Sequence, residues 1–426
     1  MNAWVTGGAL AVAVAALVEL GARWWMRQRT GSYVWLPGLR IDMRPVPDAF
    51  PAVEPRVRVD INRDGERGGD VRHEEPGLFR VLVAGGSAAE CLALDQPTSW
   101  PGVLERLLNL DTSRRLVGAR RAHVGNIGRS GVGSYHLDLI FEHVLPQYEH
   151  LSVIVVMVGA SDVLQWLEAG APSSLEGLSA SVPETFVWHR EQVFGWVPSR
   201  WAALRLAGQR WRTWFRPVEV RERVGAWIPV ARKMRAEAKE LRTRAPDPTI
   251  MLDRFESHFR RLLERAQLHA DRVLVARQPW LEKAYTAEEQ AAFWHGGVGK
   301  AWKESITVYY AQSVLNELMG LLDARAAKVA DELGVQHLDL RATLTPTLEN
   351  YYDCFHCTPE GAAVVAQAVA AAVLGQPAPA EWDTQPGRAP RNGRRRSVSR
   401  DVRTEALAPA SPRAVGEPRA SPTEVM

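Results

Sequence analysis

The chain has 426 residues, 46% of them apolar and 24% charged, which suits one large α/β domain with additions or two domains. Its net charge of +3 comes from 52 basic and 49 acidic residues, and the stretch 376–426 alone holds nine arginines against six acidic side chains. The remainder is balanced, which removes electrostatic support for nucleic-acid binding, and three cysteines (Cys91, Cys354, Cys357) are too few for a disulfide framework.

Ala3 to Leu20 is an apolar run, and eighteen helical residues span roughly 27 Å, close to a hydrocarbon core. Trp24 and Trp25 follow among Arg23, Arg27 and Arg29, where an interfacial belt would sit. Residues 1–29 are therefore expected to form a single-pass membrane anchor. No Lys or Arg precedes the run, which disfavours a cleaved signal peptide. The flanking arginines favour a cytoplasmic C-terminal side. Residues 30–78, rich in Pro, Arg and Asp, are expected to be an extended connector.

Phe79 to Glu90 reads FRVLVAGGSAAE, a branched apolar run followed by two glycines and a serine. The pattern predicts a buried strand, a sharp turn and Ser87 at a helix start. There its hydroxyl lies at the C-terminal edge of a sheet, beside backbone N–H groups that favour negative charge. A helix is predicted over Trp100–Leu110, with Pro101 in its first turn. Further strands are predicted at Arg121–Ile127, Ser152–Val158, Arg272–Ala276 and Val335–Leu340, with helices between them. Alternating strands and helices imply a doubly wound parallel five-stranded sheet over 79–375, with sites beyond the C-terminal strand ends.

About a hundred residues, 165–270, interrupt this alternation and form a helical insertion. Within them Leu252, Phe255, Phe259 and Leu262 repeat at helical spacing. Arg200 to Arg216 is basic and aromatic, either a helix on a membrane surface or one packed on the core with its arginines outward. Residues 376–426 lose apolar periodicity and are expected to be disordered, Arg394 to Ser397 included.

Near the end of the folded part stands Tyr352 to Ala362, YDCFHCTPEGA. A serine that attacks a carbonyl needs a base for its proton, and imidazole oriented by a carboxylate suits that task near neutral pH. Asp353 and His356, three apart before the last helix, are the candidate pair for Ser87. His136, His143 and His150 recur every seven residues but read as solvated helix positions, and Cys354 and Cys357 as local packing.

Four ordered blocks resemble the SGNH/GDSL hydrolase superfamily, in its membrane-anchored bacterial form. Gly85-Gly86-Ser87 resembles its Gly-Asp-Ser block; Asn126 to Gly131 resembles Asn-x-x-x-x-Gly; Gly159-Ala160-Ser161-Asp162 resembles Gly-x-Asn-Asp; Asp353, His356, Thr358, Pro359 and Gly361 resemble the last block. Ile61 to Gly68 resembles the lead-in of the membrane-anchored members. The resemblance implies a flavodoxin-like sheet and a serine esterase with an extracytoplasmic catalytic domain. Ser87 would attack, His356 would move the proton, and Asp353 would orient His356. Ser87, Gly131 and Ser161 would form the oxyanion hole, with no metal or organic cofactor. Its substrate would be a lipid or envelope-carbohydrate ester. Gly86 stands where the family has Asp, and Ser161 where it has the oxyanion-hole Asn. Two alternatives share these residues: an O-acyltransferase acting on an envelope polysaccharide, and an inactive binding module with the same fold. The elbow G-x-S-x-G is absent, because Ala89 occupies its last position.

Overall fold

The computed structural model describes residues 3–29, 31–72, 75–175, 180–189 and 201–376. The expected disordered stretch, apart from Gln376, lies outside the described residues. At the N-terminus α1, Ala3–Arg29, contains an apolar segment, Thr6–Met26, long enough to cross a membrane.

Two strands follow in the stretch expected to be a connector: β1, Arg40–Pro45, and β2, Val57–Asp60. They pair antiparallel, while the other edge of β1 pairs parallel with a later strand, Val218–Val224. Ile41, Met43, Val57, Val59 and Ile61 form the small core beneath them. Each of these strands is short, and their third partner lies far along the chain. Local pattern therefore could not reveal the sheet.

The main sheet consists of β3 (Leu78–Gly85), β4 (Arg121–Asn126), β5 (Val153–Met157), then, after β6 (Val218–Val224), β7 (Arg272–Arg277) and β8 (Gln336–Asp339). All neighbours are parallel, in the order β8-β7-β5-β3-β4. Numbered along the chain, that is 2-1-3-4-5, the flavodoxin-like order whose switch point lies between the first and third strands. Every residue of β5 is buried, as a strand covered on both faces requires.

Short α2, Ser87–Glu90, follows β3 directly. On one face α3 (Trp100–Leu108) packs against the C-terminal helix, Pro359–Leu374. On the other lie α4 (Ser134–Val144), α5 (Ala160–Glu168), the helix Thr249–His269 and the helix Gln312–Glu332. Leu252, Phe255, Phe259 and Leu262 are all buried, so the last part of the long insertion belongs to the layer over the sheet. The basic, aromatic stretch forms α6, Ala202–Phe215, packed against α1. Of the two arrangements open from the sequence, outward arginines are met only in part, by the exposed Arg210. Leu204, Trp211, Trp214 and Phe215 face outward, while Arg205 covers the Trp188 ring and Arg210 the Trp25 ring. Glu19 of α1 explains the docking: its carboxylate accepts the free N–H groups of Ala202 and Ala203 at 2.8 and 3.0 Å.

The segment 61–68 is tied into the main sheet by alternate side chains. Glu66, fully buried, receives the Asn62 amide at 2.8 Å and the Tyr148 hydroxyl at 2.8 Å. Its remaining partners are the Arg80 guanidinium and the His123 ring, each at 3.0 Å. Gly125 makes room for that carboxylate, since a Cβ there would meet it at 2.3 Å. Arg67 points the other way, and its backbone exchanges hydrogen bonds with Asn126 at the end of β4.

Candidate functional site

Ser87 lies at the C-terminal end of β3, where Gly85 approaches the neighbouring strand so closely that a Cβ would meet the Met157 carbonyl at 1.8 Å. As the first residue of α2 it leaves its N–H without an acceptor among the described residues. The Gly131 N–H is likewise unclaimed among them, and Gly131 has φ +76°, a left-handed conformation that suits glycine. The two residues line one cleft with Ser161, at the first turn of α5. Backbone N–H groups left without an acceptor at a helix start favour negative charge.

The loop before the last helix brings Asp353 and His356 to the same place. Asp353 Oδ1 accepts the Phe355 N–H at 2.8 Å and the His356 N–H at 2.9 Å, closing a tight turn. The turn aims the His356 ring back at the carboxylate, with Nδ1 2.9 Å from Oδ1 and 2.8 Å from Oδ2. With Nδ1–H directed at Asp353, Nε2 is left to accept the Ser87 hydroxyl proton, and it lies 2.8 Å from Ser87 Oγ. The following residues hold the loop in place. Thr358 caps the helix by accepting the Gly361 N–H at 3.2 Å, Pro359 occupies its first turn, and a Cβ on Gly361 would collide with the Asn350 carbonyl. The Thr-Pro-x-Gly run thus fixes the height of His356.

Burial acts on these groups in opposite directions. It would raise Asp353, but the His356 charge and hydrogen bond outweigh it and hold the carboxyl well below its ordinary value. His356 loses basicity to burial and regains more from Asp353, so its net shift is upward from 6.5. His295, buried beside them, is pushed down to about 3, chiefly by burial, and is neutral. Its Nδ1 lies 3.2 Å from Cys354 Sγ. Burial raises the thiols of Cys91, to about 12, and of Cys354 and Cys357, which keeps all three protonated. His295, Asp353 and Cys354 bring three ligand-type atoms near one another, but the Asp353 carboxylate is already engaged by the His356 turn.

The cleft holds about 690 Å³. Beside His356 its wall is aromatic. Tyr352 stacks on the His356 ring at 5.4 Å, Phe50 meets Tyr352 edge-on, and Trp294 and Trp302 complete that side. Beside Gly131 and Ser161 it is polar, with Tyr135, Gln165, Glu168 and Lys300. Burial pushes Glu168 up to about 7. Neither wall was anticipated from the sequence, because Phe50, Trp294 and Trp302 lie in loops without periodicity.

Three other candidate residues behave differently from their sequence pattern. His136 is not a solvated position: it lines the cleft, and burial followed by the Arg254 charge lowers it to about 4. His143 packs on Phe186 and His189, whereas His150 is exposed beside Asp271. Asp162, beside Ser161 on α5, reaches across to the segment after β4. There its carboxylate accepts the Ser134 N–H at 2.9 Å and the Ser134 hydroxyl at 2.6 Å, capping α4. Asp162→Ala is expected to cost about 1–3 kcal/mol in urea unfolding, because the Ser134 donors would be left unpaired in the interior.

No protein-family model and no curated protein matches the sequence. Among solved structures, a catalytic mutant of an acetylxylan esterase from Geobacillus stearothermophilus aligns at 14% identity, over 70% of this chain and 94% of its own, with a TM-score of 0.38. A second form of that esterase, carrying a tryptophan replacement, aligns at 14% identity over 70% and 95%, with a TM-score of 0.39. An α/β hydrolase from the metagenome of Lake Arreo, Spain, aligns at 11% identity over 70% and 95%, also with a TM-score of 0.39.

Proposed function

We propose that the protein is a serine esterase of the SGNH type, attached to a membrane by α1. The observation that carries this is the hydrogen-bonded chain Ser87 Oγ–His356 Nε2 and His356 Nδ1–Asp353, in a cleft that Ser87 and Gly131 also line with N–H groups unclaimed among the described residues. The order of the four sequence blocks along the strand ends supports it.

In the first step His356 Nε2 takes the hydroxyl proton as Ser87 Oγ attacks the acyl carbon. The carbonyl oxygen becomes an oxyanion facing the Ser87 and Gly131 N–H groups, with the Ser161 hydroxyl as a third donor. Asp353 stabilises the imidazolium and does not itself take the proton. The tetrahedral species collapses, and His356 returns the proton to the leaving alcohol oxygen. An acyl-serine remains, and water, activated by the same imidazole, releases the acid and restores Ser87. The leaving oxygen must pass close to His356 Nε2, so the aromatic wall at Tyr352, Phe50, Trp294 and Trp302 is the alcohol side. An alcohol bound there in place of water would turn the second step into acyl transfer, the alternative that uses the same groups.

Two measurements follow. Mixing with excess p-nitrophenyl acetate is expected to release a burst of about one p-nitrophenol per enzyme before the steady state, if deacylation is the slower step. A pH–rate profile of kcat/KM is expected to lose activity as pH falls, with a midpoint above 6.5. The sign follows from His356: the neutral ring is the base, and its raised pKa means it is protonated at a higher pH than free imidazole. A profile flat from pH 5 to 8 would exclude His356 as the base.

A further inference from the structure

Ser161 offers the oxyanion site only a short, rotatable third donor, which puts more weight on the Gly131 amide. That amide belongs to the peptide between Ser130 and Gly131, in a glycine-containing loop that would turn readily on its own. Two side chains grip the loop from opposite ends. The Glu90 carboxylate accepts the Ser130 N–H at 2.6 Å and also takes the Ser130 hydroxyl. The Gln165 amide donates to the Gly131 carbonyl at 2.5 Å, and the Tyr135 hydroxyl donates to Gln165 Oε1. Tyr135 is pinned in turn by Arg254, which lies 3.9 Å from its ring centre.

The origin of the two side chains gives them a role beyond loop packing. Glu90 is the last residue of α2, whose first residue is Ser87. Gln165 lies one turn beyond Ser161 on α5. Each grip therefore runs from a helix that carries one of the other two donors, so the three donors are tied into one frame. The frame is itself anchored. The buried Arg67 guanidinium donates to the carbonyls of Glu90 at 2.9 Å, Cys91 at 2.8 Å and Leu94 at 2.5 Å, where α2 ends. The Asn126 amide holds the Ala89 carbonyl at 2.8 Å. Arg67 also places a positive charge near the Glu90 carboxylate, offsetting a negative charge close to where the oxyanion forms.

We propose that Glu90 and Gln165 are positioning residues that fix the Gly131 N–H against Ser87 and Ser161. The inference rests on the esterase assignment. It is tested with the full chain in detergent, comparing wild type with Gln165→Leu, which keeps the bulk and removes the donor, and with Glu90→Gln. Gln165 is half-buried in the cleft wall, so its variant retains the core even if Glu90→Gln does not. Gln165→Leu is expected to lower kcat about 10²-fold with KM nearly unchanged. Its inhibition constant for phenylboronic acid, whose adduct with serine carries the oxyanion, should rise by the same factor. The double variant should lose less than the product of the single losses, because both hold one loop. Unchanged kcat and unchanged boronate affinity in Gln165→Leu, with wild type active, would overturn the clamp. So would a loss that appears in KM alone. A wild type without esterase activity would instead remove the assignment on which the clamp rests.

Discussion

Ser87→Ala is expected to reduce kcat for a simple ester by about 10⁶-fold, the size of loss seen where serine and imidazole act as one unit. The large figure follows from covalency. Without Oγ there is no acyl intermediate, and His356 Nε2, now lacking its partner at 2.8 Å, can only act weakly on water. The backbone should be indifferent to the change. Ser87 makes no side-chain cap on α2, whose preceding residue is Gly86, and alanine favours a helix more than serine does. Unfolding free energies of the two proteins should therefore agree within about 0.5 kcal/mol. What survives in Ser87→Ala would come from substrate binding and the remaining donors. Steady-state hydrolysis of p-nitrophenyl acetate, with a urea melt alongside, reads both quantities.

The largest expected effect on stability lies away from the cleft. Glu66→Ala is expected to cost about 3–5 kcal/mol, the usual penalty for removing one partner of a buried charged network. Its carboxylate meets Asn62, Arg80, His123 and Tyr148 in the interior, and alanine would take that shared partner from all four. Arg80 would keep only Asp64, at 3.0 Å and nearer the surface, as a carboxylate partner among its described ion pairs. The same network sets an acid limit. Burial alone would raise Glu66, but the His123 hydrogen bond and the Arg80 charge bring it down from 4.5 to about 2. A carboxyl lowered on folding contributes stability that is complete above its unfolded value near 4.5 and is lost as pH falls through about 2. Wild type should thus lose stability steadily between these values, and Glu66→Ala should show a shallower fall over the same range. Urea melts from pH 6 to pH 2 measure the difference.

Much of the main sheet was legible because buried parallel strands are written as continuous branched runs. Val153 to Met157 and Val81 to Ala84 have no exposed residue to confuse the pattern. Ser87 could be picked out because it follows two glycines at a helix start, and Asp353 and His356 because they shortly precede Thr358-Pro359 and the last helix. The small sheet was hidden. Arg40–Pro45 carries two arginines, an aspartate and a proline, and its partner Val218–Val224 is an alternating polar strand that exposes most of its residues. Ile61 to Gly68 was marked only by resemblance, and the burial of Glu66 and Arg67 cannot be read from so polar a run until tertiary structure encloses it. Nothing in the sequence marks Glu90, because only the loop after β4 folding back onto it gives its carboxylate a partner. The aromatic wall is assembled from distant loops, which no local period can announce.

Fluorophosphonate labelling of the full chain in detergent, with the modified peptide mapped by mass spectrometry, goes to the chemistry itself. A stoichiometric adduct on Ser87, slowed when His356 is replaced by alanine, is the expected result. A folded wild type that takes no label at Ser87, while small aryl phosphonates have free access to a cleft of about 690 Å³, would contradict an activated serine. The fold would then have to be understood as a binding module.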